Sequence, residues 1–182
     1  MNILEEILAA KNGGAVKQVS QQFGIDQDQA TSAISALLPA LANGFGKNMS
    51  QQGGLESLLG ALTNGQHSRY LDQPEILGQE AATTDGNGIL GHVLGSKDAS
   101  RAVARNAAQQ TGLGEGMLKK MLPVVATMAM GALSKQAVPA ANVPGSPVAA
   151  SGLMGMLTPL LDQNRDGSAV DDVLGMAAKM FK

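Results

Sequence analysis

The chain has 182 residues, a net charge of −2 and no cysteine. That length suits one domain, or one domain with an appendage. The charge argues against a large nucleic-acid footprint, and the missing thiols exclude disulfides and cysteine chemistry. Apolar residues make up 44% of the chain but aromatics only 2%, beside 10 methionines. With Ala and Leu common and strand-like alternation absent, the composition predicts an all-α protein packed by close backbone approach rather than by large rings.

The N-terminus, Met1-Asn2-Ile3-Leu4-Glu5-Glu6, has acids inside a short apolar stretch and no basic start. It does not read as a signal peptide, so the expected location is cytoplasmic, with signal-less export left open. A short amphipathic helix is expected over 3–10, stopped by Gly13-Gly14, and a second over 15–23, ended by Gly24. Asp26 caps a third, from Gln27 to about Asn43. Its buried face is Ile34, Leu37, Leu38 and Leu41, and Pro39 bends it. The pair outlines a helix-turn-helix. Its second helix opens Gln27-Asp28-Gln29 and has no cation before Lys47, a poor face for phosphates. Packing is therefore the expected use, and no nucleic-acid partner is expected.

Gly44 to Gly54 reads as a polar connection, Leu55 to Leu62 as a short helix, and 63–88 as alternating polar and apolar patches. Gly86-Asn87-Gly88 then leads into a short helix at Ile89 to Gly95. Ser96 caps a helix from Lys97 to about Gln110 with a contact face of Ala99, Ala102, Val103 and Ala107, and Gly112 stops it. Residues 115–135, with Pro123 inside, form the most apolar helix. Its uncharged run from Met121 to Ser134 is shorter than the ~18–20 residues of a membrane span. A buried core helix is expected there and no transmembrane segment.

Two stretches echo one another. Gln21-Gln22-Phe23-Gly24-Ile25, leading to Leu37-Leu38-Pro39, resembles Gln109-Gln110-Thr111-Gly112-Leu113, leading to Met121-Leu122-Pro123. The main domain, 1–136, is thus expected to hold two related helix-turn-helix-like units, about 2–62 and 86–136, packed about a pseudo-twofold axis. Ala137 to Ser151 holds three prolines and no charge and reads as a linker. Residues 152–182 read as a helical hairpin too small to hold a core alone.

The loop of that hairpin is the stretch that chemistry rather than packing demands. Asp162, Asn164 and Asp166 alternate, Gly167 follows, and a backbone carbonyl from Ser168 comes next. This is the front of a calcium loop of the EF-hand kind, in which alternate oxygens on a curled chain converge on one Ca2+. The twelfth position is Val173, which cannot bind. Ser168 and Asp171 form a capping box that starts the exiting helix early, making Asp171 the candidate closing ligand and Asp172 the second. The alternative is an Asp/Asn/Gly-rich turn before a well-capped helix.

Four motifs occur in order along the chain. They are Gly-Ile-Leu-Gly-His-Val-Leu-Gly (88–95), Ala-Ala-Gln-Gln-Thr-Gly-Leu (107–113), Met-Leu-Pro-Val-Val (121–125) and Asp-Gly-Ser-Ala-Val-Asp-Asp-Val-Leu-Gly (166–175). Together they resemble the YidB-like bacterial proteins (domain of unknown function 937) over most of the chain, about 2–182. That resemblance implies an all-helical fold with helix-turn-helix-like pieces, and brings no established activity or catalytic residue.

No acid–base pair, phosphate loop or nucleophile motif stands out. His67, beside Arg69 and Asp72, reads as part of a solvated cluster. His92, in a short apolar helix, reads as a packing or capping residue. Glu5, Glu6, Lys119 and Lys120 read as solvated faces. A non-enzymatic protein is expected, one that self-associates as a homo-oligomer or filament or binds another protein. The alternative is a metal-responsive module ordered by Ca2+, and DNA binding ranks third.

Overall fold

A computed structural model describes residues 3–64 and 66–141, the side chains of 55, 59, 63, 64 and 136–141 excepted. They form α1 (Ile3–Ala9), α2 (Gly14–Phe23), α3 (Gln27–Met49), α4 (Gly54–Asn64), α5 (Arg69–Asp72), a 3₁₀ turn (Pro74–Gly78), α6 (Glu80–Val93), α7 (Lys97–Thr111) and α8 (Glu115–Ala141). No strand occurs among the described residues, and the all-α expectation holds. The calcium-loop candidates Asp162, Asn164, Asp166, Ser168, Asp171 and Asp172 lie outside the described residues. So do the hairpin 152–182 and residues 142–151 of the expected linker; its first residues, 137–141, are helix, because α8 continues through Pro139 to Ala141.

Local signals set several helix ends. The Asp26 carboxylate accepts from the Gln29 amide at 2.7 Å, while the Asp26 amide donates to the Gln29 side chain at 3.3 Å, a reciprocal cap at the start of α3. Ser96 accepts from the Ala99 amide at 3.1 Å and starts α7. Gly24 and Gly112 end α2 and α7 with φ of 65° and 73°, a conformation that costs glycine little. The two echoing stretches thus share a local form: a helix, a left-handed glycine, and a longer helix carrying a proline.

α8 is the axis of the fold, and each of the other seven α-helices packs on it. Every residue from Met121 to Ser134 is buried, so the helix is covered on all sides rather than along one stripe. Its two polar side chains there are satisfied. Thr127 donates within reach of the carbonyls of Pro123 (2.8 Å) and Ala82 (3.0 Å), and Ser134 donates to the carbonyl of Leu62 at 3.3 Å. By length and hydropathy the stretch Glu115–Lys135 could cross a membrane, a longer window than the uncharged run suggests, and here the other helices surround it. Met121, Met128 and Met130 are buried along it as core residues.

Three sequence expectations need correction. α3 does not stop at Asn43, and Gly44 to Met49 is helix rather than connection. A Cβ on Gly44 would lie 2.4 Å from Val93 Cγ1 and 2.6 Å from the Val93 carbonyl, so the glycine marks a helix crossing, not a break. Asn48 strengthens that crossing by donating to the His92 carbonyl at 3.2 Å. α6 likewise begins at Glu80 and runs through Gly86-Asn87-Gly88, because Gly86 lies against the backbone of Pro123 in α8. Finally, the buried face of α7 is Ala104 and Ala107. Ala102 is exposed, so the face is rotated from the one expected.

Candidate interaction surface

Two side-chain arrangements lie outside the simple core. The first surrounds Tyr70, whose ring is 1% exposed. Its hydroxyl donates to the Asp85 carboxylate. Arg69 donates to the Tyr70 oxygen at 3.0 Å, reaches Asp85 at 3.4 Å, and sets its guanidinium 4.9 Å from the centre of the Tyr70 ring. His67 stacks on the same ring, centroids 6.3 Å apart, and its Nδ1 is buried with no hydrogen-bond partner among the described residues.

The physical chemistry of that cluster follows from burial. Desolvation lowers the His67 pKa below its ordinary 6.5; Asp85 opposes this and Arg69 adds to it. Desolvation also raises the Tyr70 pKa, with the bond to Asp85 acting in the same direction. The hydrogen bond from Arg69 to Tyr70 raises the Arg69 pKa. His67 is therefore not part of a solvated cluster as its sequence neighbours suggest, because α8 passes beneath it. A Cβ on Gly131 would sit 2.8 Å from the His67 carbonyl. Beside it, Asp72 turns to Lys135 at 2.7 Å, and Lys135 also reaches Glu6 at 4.0 Å. Glu6 is accordingly half-buried rather than on a solvated face, while Glu5, Lys119 and Lys120 are exposed. His92 is exposed on the last turn of α6, and its carbonyl accepts from Asn48. Arg69, Tyr70 and Asp85 spend these polar atoms on one another and so lock α5 to α6.

The second arrangement is a groove between α6 and the first turns of α8. One part, of about 900 Å³, is lined by Phe23, Thr83, Asn87, Met117, Lys120 and Pro123 among others. The other, of about 620 Å³, is lined by Leu90, Gly91, Lys97, Arg101 and Leu122 among others. Asn87 and Lys119 line both parts and join them. The groove is wide because glycines form its walls. A Cβ on Gly91 or Gly116 would meet nothing within 4 Å.

Its chemistry is one-sided. Four cations line it, Lys97, Arg101, Lys119 and Lys120, and no carboxylate does. Arg101 is paired with Asp98 at 2.7 Å. The three lysines have no ion pair among the described residues. Phe23 and Met117 are only half-buried on the walls, over a floor of buried Leu90, Leu122 and Pro123. Aromatic and methionine side chains with a cationic rim are what a contact surface presents. Sequence reading passed over this surface because its cations come from α7 and α8 and its floor from α6 and α8. The signal that could have found it was the pair Lys119-Lys120 next to the most apolar run of the chain.

Among the described residues no group of three or more His, Asp or Glu side chains is placed to hold a metal ion. No curated protein and no solved structure matches the chain. A family model described as "bacterial protein of unknown function (DUF937)" matches residues 5–136, from α1 to the last turns of α8. The match spans well over half of the sequence, in accord with the resemblance to YidB-like proteins, and the chain belongs to the DUF937 family of bacterial proteins.

Proposed function

We propose that this protein acts by binding rather than by catalysis, as a self-associating interaction module that uses the groove between α6 and α8. The observation that carries this is the apolar floor beneath lysines that make no ion pair among the described residues. A surface of that kind gains from burying Phe23 and Met117 and from meeting carboxylates. The Tyr70–Asp85–Arg69 cluster supports a structural rather than a chemical part for its residues, since those groups are engaged with one another. Light scattering on the full chain over a range of concentrations tests self-association. A mass that rises with concentration is expected, and a monomer throughout rejects it.

A second reading, a metal-responsive module, is favoured by the oxygen pattern Asp162, Asn164, Asp166, Ser168, Asp171 and Asp172. Calorimetry with Ca2+ should give binding heat in the wild type and none in Asp162→Ala/Asp166→Ala. Absence of heat in both rejects the site.

A further inference from the structure

We infer that the occupant of the groove is the chain's own C-terminal segment, 153–172. This rests on the groove being an interaction surface. It adds which piece of chain fills it.

Three observations lead to that segment. The first is chemical fit. Leu153, Met154, Met156, Leu157, Leu160 and Leu161 form an uncharged apolar run that matches the floor. Directly after it, residues 162–172 hold four aspartates, Asp162, Asp166, Asp171 and Asp172, and one cation, Arg165. The groove presents the reverse order of needs, an apolar floor bounded by Lys97, Lys119 and Lys120 with no carboxylate of its own. The second is reach. From Pro123, at the groove, to Ala141, the last described residue of α8, the helix rises about 27 Å at 1.5 Å per residue. The chain from 142 to 151 spans about 31–34 Å when extended, so residue 153 can return to the groove. The third is need. The segment is too short to bury its own apolar residues without a surface.

The same contacts form whether the segment lies in its own groove or in that of a second copy. Segment exchange of this kind turns a closed monomer into a dimer or a chain of copies without any new interface. Concentration then decides between the two, because the local concentration of a tethered segment competes with that of neighbouring molecules.

Since the protein has no cysteine, engineered disulfides report the seat directly. In the full chain, Asn87→Cys pairs a groove wall with Leu157→Cys in the segment. Glu56→Cys with Leu157→Cys is the comparison. Glu56 is exposed on α4, a helix bonded to Ser134 and so nearer the end of α8. Oxidation should link the Asn87 pair roughly tenfold faster than the Glu56 pair. Filling the groove by Gly91→Leu/Gly116→Leu, where side chains meet open space, should slow that link by a similar factor. Equal rates for the two pairs, or no effect of filling, overturn the assignment. A fast link within a protein that stays monomeric by light scattering keeps the seat and rejects self-association. Oligomers with no preferential link keep self-association and reject the seat.

Discussion

Two glycines on one helix provide a sharp test of how α6 and α8 are held. Gly86 and Gly88 are two residues apart in α6, and each carries the same intrinsic helical penalty of about 1 kcal/mol relative to alanine. Their surroundings differ. A Cβ on Gly86 would lie 2.0 Å from the Pro123 carbonyl oxygen and 2.5 Å from its carbon, whereas one on Gly88 would meet nothing within 4 Å. To reach an ordinary contact of 3.4 Å, α6 and α8 must part by about 1.4 Å at Gly86, and the obstacle is backbone, which cannot swing aside. Overpacking of this kind costs up to about 3 kcal/mol. Subtracting the propensity gain leaves Gly86→Ala less stable by about 2 kcal/mol, or about 4–8 °C in Tm at this chain length. Gly88→Ala should gain about 0.5–1 kcal/mol. Urea and thermal melts of both variants decide it. Parting the helices also strains the Thr127 hydroxyl, which bonds the Ala82 carbonyl across the same gap, so Gly86→Ala and Thr127→Val should destabilise less than additively. A Gly86→Ala variant as stable as the wild type refutes the close crossing.

Other outcomes follow from the Tyr70 cluster. His67 holds a folded pKa below its ordinary 6.5, so the folded state takes up its proton later than the unfolded chain as pH falls. Its contribution is complete above pH 6.5 and is lost as pH drops below that value toward the folded pKa. Denaturant melts across that window should show stability falling with pH, and His67→Gln should flatten the slope. Tyr70→Phe removes the donor to Asp85 but leaves the ring and Arg69 in place, so a loss of about 0.5–1.5 kcal/mol is expected in the same melts.

What sequence revealed and what it hid divide along a physical line. The Asp26 and Ser96 caps, the helix stops at Gly24 and Gly112, and the face Ile34, Leu37, Leu38 and Leu41 are encoded within a few residues of where they act, and all appear as read. Gly44 and Gly86 also announce themselves locally, but as the wrong thing. Glycine in a run reads as a break, because its cost to a helix is local while its benefit, close approach to Val93 or Pro123, comes from residues 49 and 37 positions away. His67 fails for the same reason. Its neighbours Gln66, Ser68 and Arg69 are polar, and its burial is supplied by Gly131 and the rest of α8. The groove is harder still, since it is an absence of side chain at Gly91 and Gly116 framed by cations from two helices. No window of sequence contains it.

The proposed calcium loop and the proposed docked segment draw on the same aspartates of 162–172, and that makes the two proposals interdependent. An oxygen that ligates Ca2+ is no longer available as a charge to Lys97, Lys119 or Lys120, and a bound divalent ion adds two positive charges facing a cationic groove. Calcium should therefore loosen the segment from its seat, and docking should weaken calcium by the same factor, because coupling between two binding events is reciprocal. The sign is testable without knowing either affinity beforehand. In Gly91→Leu/Gly116→Leu, where the seat is filled, the loop is released and calorimetry should show tighter Ca2+ binding than in the wild type. Charge reversal by Lys119→Glu/Lys120→Glu should shift it the same way, through repulsion of the aspartates from the groove. Calcium affinity that is measurable in the wild type and identical in both variants would show that the loop and the groove never meet, and would separate the metal site from the assembly of the chain.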